Sequence, residues 1–397
     1  MRSLKATLIV LGLSTMLPVW PVSQAQAAGE ATGKIMTVLG PIDPAQVGHA
    51  LMHEHLFSDF TLPDMEPERW KRAGRKRLIG ATDVALYNAP LTMDNLGVVA
   101  LGAYNRDNWQ LDDEATAIAE MQDFKRHGGS TLVDVTSIGL KRNPRGLQRV
   151  ARTTGVNIVM GTSWYSSGWW PDGIEQQSVE SLTNQIVRDV TIGVDGTDAH
   201  AGIIGEIGAS GDPGDAVENR ILRASARASR LTGAAVTVAL GSSKQHAKIL
   251  DILASEGVDL HRVVLGHSDY LAGQVEYLKS LLDRGATIQF DLLGRPPLVT
   301  RTWPIDSAVA RTIVDLIQAG YAGQLLLSQD ISARTSLEAY GGTGYSYIEQ
   351  SFLPYLKRQG VTDAQIATIV EANPRRLLTL VAPDRAAPKT MKRGKRS

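Results

Sequence analysis

Short apolar runs recur along the chain, and longer amphipathic segments separate them. The apolar runs are rich in β-branched residues and show almost no alternation, as is typical of strands buried on both faces of a parallel sheet. The segments between them have helical periodicity, and several end at glycine, a common helix stop. Because eight runs alternate with helices within a single-domain length, the pattern predicts an α/β fold of the (β/α)₈ TIM-barrel type rather than a doubly wound open sheet. The predicted strands are "TVLGPI" leading to "GHALMHEHL", "STLVDVTSIG", "NIVMGTSWY", "AGIIGEIG", "AAVTVALG", "RVVLGHSD", "ATIQFDLLG" and "QLLLSQDIS".

Three parts of the chain fall outside this alternation. Residues 57–112 form a long insert after the first strand, within a barrel domain that we place at residues 28–381. Residues 382–397 are basic and contain proline, which predicts a disordered tail. The third part is the N-terminus.

The N-terminus has the pattern of a secretory signal peptide. Arg2 and Lys5 precede the apolar stretch "ATLIVLGLSTMLPVW", and Ala25 and Ala27 follow in an A-x-A arrangement. The stretch is shorter than the roughly 20 residues that a membrane-spanning helix needs, although an uncleaved anchor is the alternative. We therefore expect a signal peptide at residues 1–27 and a periplasmic or secreted mature protein without an integral membrane segment.

Composition and motifs exclude several classes of function. The chain has 397 residues with 41 basic and 41 acidic side chains, so it carries no net charge for attracting nucleic acid. It has no cysteine, which excludes disulfides, thiolate zinc sites and a cysteine nucleophile. A G-x-S-x-G nucleophile elbow is also missing from the sequence. We expect a small-molecule substrate, and a homodimer remains open.

Polar residues stand at the ends of four predicted strands. His53 and His55 end the first strand, two positions apart, so both side chains point to one face. Glu206 lies in the fourth strand, His267 in the sixth and Asp330 after the eighth. Active sites of barrels form at the C-terminal ends of the strands, and a buried lone carboxylate or imidazole is costly unless it is paired or bound to metal. The set predicts a divalent metal site.

The same segments resemble the phosphotriesterase family of the amidohydrolase superfamily. The matching motifs are "HEH", "AGIIGEIG", "VLGHSD", "FDLLG", "LSQDIS" and "ANPRRLL", in order through nearly the whole mature chain. The resemblance implies two divalent metals, usually zinc, that share a bridging hydroxide. It implies that His53, His55 and Asp330 bind the buried metal. Glu206 would bridge the metals, as in the phosphotriesterase-homology branch, and His267 would bind the outer one.

The sequence departs from the family on the fifth strand. The family has a histidine ligand there, whereas this chain has Ala239 in "GAAVTVALGSS". His246 lies on the following helix, where we expect a solvated side chain. The resemblance therefore predicts one tight zinc site and a weak or absent outer site.

The resulting hypothesis is an exported zinc-dependent hydrolase that acts on an ester, lactone or phosphoester bond by a metal-bound hydroxide. Asp330 would transfer the proton, and His267 would donate a hydrogen bond to the substrate oxygen. The alternative is a non-catalytic or weakly active binding protein on the same barrel.

An aromatic cluster follows the third strand and predicts a substrate pocket for an apolar or aromatic group, with loop packing as the alternative. Its members are Trp164, Tyr165, Trp169 and Trp170. The basic segment "WKRAGRKR" in the insert is either a solvated face or a lid for anionic substrates. Tyr340 and Tyr345, in "YGGTGYSY", give a weak signal for a binding loop.

Overall fold

The structure is a computed structural model. It describes residues 31–61, 81–210, 215–240, 245–295 and 305–384. The predicted signal peptide, the basic segment "WKRAGRKR" and residues 385–397 of the predicted tail lie outside the described residues.

Eight parallel strands form one sheet in sequential order, so the predicted (β/α)₈ barrel is confirmed. Residues of the strands are buried on both faces, which explains why the apolar runs do not alternate. The strands are β1 His49–Glu54, β2 Gly129–Asp134, β3 Asn157–Thr162, β4 Ala201–Ala209, β5 Val236–Leu240, β6 Val263–Gly266, β7 Thr287–Phe290 and β8 Leu325–Leu327.

The first and last strands meet at their C-terminal ends. The backbone N–H of His53 donates to Ser328 Oγ at 2.8 Å, and the N–H of Asp330 donates to the carbonyl of His53 at 3.1 Å. These contacts bring the loop after β8 against the end of β1, where two of the predicted site residues lie.

Helices cover the outside of the barrel. Their limits follow local signals: the Asn143 side chain accepts from the N–H of Gly146 at the start of one helix, and Gly155 ends it with φ of +68°. The helices between strands are Glu114–Arg126, Pro144–Thr154, Val179–Thr191, Ala216–Thr232, His246–Ser255, Val275–Leu282 and Asp306–Gln318. After β8 follow Leu353–Arg358, Asp363–Ala367 and Asn373–Leu378. None of the helices within the described ranges is long and apolar enough to cross a membrane.

The segment "TVLGPI", which we expected to lead into the first strand, forms a separate antiparallel pair. Ile35–Thr37 pairs with Gly40–Ile42, and an isolated bridge links Ile35 to Thr379. The pair therefore lies outside the eight-stranded sheet and contacts Thr379, directly after the helix Asn373–Leu378.

The described part of the predicted insert contains the helices Ala81–Asn88 and Met93–Ala100 and an antiparallel pair of Ser58–Asp59 with Gln110–Leu111. Its aromatic residues pack against the loop after β3. The resulting hydrophobic cluster consists of Phe60, Tyr87, Leu140 and Trp169, with Tyr104, Trp109 and Tyr165 packed against it.

His246 begins the helix His246–Ser255, but the expectation of a solvated side chain is wrong. Its ring is fully buried and lies edge-on to Tyr277, with 6.2 Å between the ring centroids. Both ring nitrogens lack a hydrogen-bond partner among the residues that the structure covers. Burial without a compensating charge lowers the pKa of His246 to about 4.

This histidine gives a prediction for the pH dependence of stability. Its pKa is about 4 in the folded chain against 6.5 in the unfolded chain, so between these values the unfolded state binds more protons. The contribution of His246 to the free energy of unfolding is therefore fully present above pH 6.5. It decreases by about 3 kcal/mol in total as the pH falls toward 4. We expect His246→Leu to flatten the pH dependence of the unfolding free energy in this window, as measured by urea denaturation. His261→Leu, at an exposed histidine, is the control, and an unchanged slope in His246→Leu would contradict the prediction.

Candidate metal centre at the mouth of the barrel

His53 and His55 leave the end of β1 with both Nε2 atoms turned toward Glu206 on β4. His53 Nε2 lies 3.3 Å from Glu206 Oε2, and His55 Nε2 lies 3.4 Å from Glu206 Oε1. All three side chains are almost completely buried. The carboxylate of Glu206 thus directs one oxygen to each imidazole.

Asp330 approaches the same two nitrogens from the loop after β8. Its Oδ1 lies 3.2 Å from His55 Nε2 and 3.9 Å from His53 Nε2. The ligand atoms of His53, His55 and Asp330 all lie within 4.8 Å of one another. The structure therefore brings together the three residues that the resemblance assigned to the buried metal, with Glu206, the predicted bridging residue, beside the two histidines.

The donor atoms fit one divalent ion. Ligands that lie 2.0–2.2 Å from a zinc ion are roughly 3–4 Å from each other. The histidine Nε2 atoms lie 3.2–3.9 Å from the oxygens of Glu206 and Asp330. His53 Nε2 is buried and has no hydrogen-bond partner among the described residues. Because leaving a buried nitrogen unpaired is costly, a bound cation is the simplest way to satisfy it.

Two polar residues orient the histidines from behind. Thr136 Oγ1 lies 2.9 Å from His55 Nδ1, and Asp291 Oδ2 lies 3.1 Å from His53 Nδ1. Such contacts leave Nε2 of each ring available for a metal, as in many metal sites. Sequence reasoning missed both residues, although Asp291 also stands at a strand end, directly after β7.

Charges in this cluster compensate one another. Burial alone would lower the pKa of His53 and His55, but the neighbouring carboxylates outweigh it and raise both values. Burial would raise the pKa of Asp330, but Arg295 and the imidazoles hold it well below its usual range. The carboxylates therefore favour a positive charge at the position of the two Nε2 atoms.

Glu54, between the two histidines, points to the opposite side and holds the loop of Asp330. Its Oε1 accepts from Ser328 Oγ and from the N–H of Gln329, both at 2.7 Å, and its Oε2 accepts from the N–H of Ile331 at 2.8 Å. Burial raises its pKa to about 7 despite these hydrogen bonds. The middle residue of "HEH" thus positions Asp330, with φ of +51°, against β1.

The outer part of the site contains His267 and Ala239. Nε2 of His267 lies 3.6 Å from Asp330 Oδ2, and Ala239 stands opposite Gly266 in the register of β5 and β6. Ligand atoms of His53, His267 and Asp291 also lie within 4.8 Å of one another. In this second group, Asp291 faces the Nδ1 side of His53, away from Glu206, so we interpret it as an orienting residue.

A cavity of about 330 Å³ opens above these residues. Glu206, Ala239, His267 and Asp330 border it on one side. Aromatic residues form another wall. They are Phe60, Trp109, Tyr165 and Trp169, and Tyr270 lines the cavity from the segment after β6.

The structure divides the four residues of the predicted pocket cluster between the cavity and the hydrophobic core. Tyr165 and Trp169 line the cavity, but Trp164 and Trp170 belong to the hydrophobic core, and Trp170 Nε1 donates to the carbonyl of Tyr165 at 2.7 Å. Successive side chains of the loop after β3 point to different sides. Residues that are neighbours in the sequence therefore do not all line the cavity. Phe60 and Trp109, from the insert, complete the wall instead.

The tyrosines of "YGGTGYSY" do not line this cavity either. Tyr345 is buried, and its hydroxyl donates to the carbonyl of His55 at 2.6 Å. Tyr340 lies beside Arg334, whose Nη1 is 3.3 Å from the Tyr340 hydroxyl. Tyr345 thus supports the end of β1.

Comparisons with known proteins show the family of the chain. The profile of the phosphotriesterase family matches residues 33–378. A phosphotriesterase-related protein from Nematostella vectensis is 34% identical over 88% of this chain and 99% of its own length. An N-acetyltaurine hydrolase from Dictyostelium discoideum is 33% identical over 89% of this chain and 99% of its own length.

A solved structure extends the similarity to the fold. The resiniferatoxin-binding protein from Rhodobacter sphaeroides is 36% identical, with a TM-score of 0.79, over 89% of this chain and 97% of its own. The family profile and the two curated relatives span nearly all of the described barrel. The chain therefore belongs to the phosphotriesterase family of metal-dependent hydrolases.

Proposed function

We propose that the protein is an exported zinc-dependent hydrolase that cleaves an ester, lactone or phosphoester bond with one tightly bound metal. The observation that carries the proposal is the convergence of His53, His55, Glu206 and Asp330 at the base of an aromatic-walled cavity. The N-terminal signal pattern supports export.

A single tight site follows from the ligand inventory. The two oxygens of Glu206 lie closest to His53 and His55, and Ala239 offers no ligand atom at the cavity edge. An outer ion would keep only Glu206 and His267, whereas stable zinc sites have three or four protein ligands.

The chemistry divides between the ion and the chain. Zinc, when bound, would supply a water acidified to a pKa of about 7. Asp330 accepts the proton of the attacking water and returns it to the leaving group, because its carboxylate lines the cavity beside the ligand atoms of His53 and His55. His267 borders the cavity and can donate a hydrogen bond to the substrate oxygen.

The aromatic wall supports a substrate with an apolar or aromatic part. Phe60, Trp109, Tyr165 and Trp169 offer ring surfaces to such a group. Relatives named N-acetyltaurine hydrolase cover 88–89% of the chain, so an N-acyl amide belongs beside esters and lactones among the compounds to test.

A second candidate function is ligand binding without turnover. The similarity to a protein described as resiniferatoxin-binding supports it, as does the missing ligand at Ala239. The same cavity would then hold an apolar ligand.

Metal content and turnover together test the proposal. We expect about one zinc per chain after exhaustive dialysis, measured by elemental analysis, because only the inner group has enough ligands. Aryl esters, lactones, a phosphotriester and N-acetyltaurine then form the substrate series. Turnover that chelation removes and zinc restores supports the hydrolase, whereas one zinc without any turnover favours the binding protein. Two retained metals would contradict the single-site assignment.

A further inference from the structure

Arg295 follows β7 and reaches the outer face of the metal centre. Its Nη2 lies 2.6 Å from Asp330 Oδ2 and donates to the carbonyl of Asp330 at 2.8 Å. The side chain is 21% exposed and borders the same cavity as Ala239. Arg295 is therefore close to the ligands and still accessible to a bound molecule.

The two oxygens of Asp330 divide the site into two sides. Oδ1 faces His55, whereas Oδ2 faces Arg295 and His267 Nε2, the latter at 3.6 Å. Arg295 and His267 thus share the outer side of Asp330.

This outer side carries His267, which the resemblance assigned to the outer metal. In a two-metal site the second ion polarises the substrate oxygen. Arginine stays protonated at all relevant pH values and presents several N–H donors in one plane, which suits an oxyanion. Ala239 stands where the family has a histidine ligand, and it borders the same cavity as the guanidinium of Arg295.

We propose that Arg295, together with His267, binds and polarises the reacting oxygen of the substrate in place of an outer metal. The inference rests on the proposed hydrolase and adds a catalytic residue to it. With an ester, attack of water forms a C–O bond and moves the carbonyl π electrons onto oxygen. Arg295 and His267 donate to that oxyanion, the ester C–O bond then breaks, and the leaving alkoxide takes the water's proton through Asp330. The products are the acid and the alcohol.

Arg295→Gln and Arg295→Lys test the role on zinc-loaded protein. For Arg295→Gln we expect unchanged zinc content, a fall in kcat of about 10²–10³-fold, as when one oxyanion donor is removed, and partial recovery with lysine. Binding of inorganic phosphate, measured by calorimetry, should weaken by about 10-fold because a charged hydrogen bond is lost. Arg311→Gln, at an exposed arginine outside the cavity, is the control.

Two results would overturn the proposal. Loss of zinc in Arg295→Gln would make Arg295 a positioning residue for Asp330, and unchanged kcat and phosphate binding would remove it from the substrate site. The phosphate measurement needs no turnover. An inactive wild type with Arg295-dependent phosphate binding would therefore refute the hydrolase without refuting the anion site.

Combining Arg295→Gln with Ala239→His tests whether Arg295 takes the place of a metal ion. If a second ion takes over the polarisation, Arg295→Gln should reduce kcat less in the Ala239→His background than in the wild type. An equal reduction in both backgrounds, with two metals bound in the Ala239→His protein, would contradict the idea that Arg295 replaces a metal.

Discussion

Replacing Glu206 by alanine should weaken metal binding so that zinc is lost on exhaustive dialysis, because the three ligands that remain carry one carboxylate fewer. The loss of the zinc-dependent nucleophile should lower kcat/KM by at least about 10³-fold. Glu206 directs one carboxylate oxygen to each histidine, at 3.3 and 3.4 Å, and its removal leaves two imidazoles and Asp330 around the ion. Elemental analysis after dialysis and kinetics on the best substrate measure both effects. Glu206 supplies its own carboxyl group, so metal binding by the wild type should not depend on added bicarbonate, which only a lysine at this position would need for carboxylation.

Glu120→Ala is the matched control for this variant. Glu120 is also a buried carboxylate, 4% exposed, but it lies outside the cavity of the metal centre. Its variant should keep the metal. Full metal occupancy in Glu206→Ala would remove Glu206 from the ligand set and refute the proposed centre.

Introducing a histidine at Ala239 should create the outer site. Ala239 borders the cavity, and its partners in the register on both neighbouring strands are Gly208 and Gly266, which have no side chains. The larger side chain can therefore extend toward the cavity with little overpacking. With Glu206 and His267 it would form three ligands, so we expect metal content to rise from about one to about two per chain. Activity on a lactone or phosphotriester should rise by about 10-fold or more.

Ala239→Leu distinguishes the effect of a new metal ligand from the effect of a larger side chain. It adds volume without a donor atom and should leave metal content unchanged, as elemental analysis can show. A second metal without higher activity in Ala239→His would indicate a cavity that no longer matches a two-metal substrate geometry. Unchanged metal in a well-folded Ala239→His protein would refute the assignment of this position.

The barrel could be predicted from the sequence because its signals are local. Each strand is a short run whose burial on both faces demands continuous apolar residues, and each helix shows its own period and stop signal. The spacing of His53 and His55 also fixes their common face, since side chains alternate along a strand. Their convergence with Glu206 and Asp330 followed from the fold, because parallel strands of a barrel end on one side.

The immediate surroundings of these residues were decided only in three dimensions. Thr136, Asp291 and Glu54 make contacts between segments far apart in the sequence, such as Glu54 with the backbone of Gln329. A carboxylate at a strand end has the same local pattern whether it binds an ion or orients a ligand. Only the position of its oxygen relative to the rings tells the two apart.

Loops depended on tertiary structure in the same way. No period governs the direction of side chains after a strand ends, so Trp164 and Trp170 are core residues while Phe60 and Trp109 form the cavity wall. His246 had the sequence environment of an exposed helical residue, and packing against Tyr277 buried it. The sequence by itself thus determined the barrel and the end at which its polar residues gather. Tertiary packing decided which atoms face the ion, which hold the ligands and which form the cavity, because those relations depend on distances between segments that no local pattern encodes.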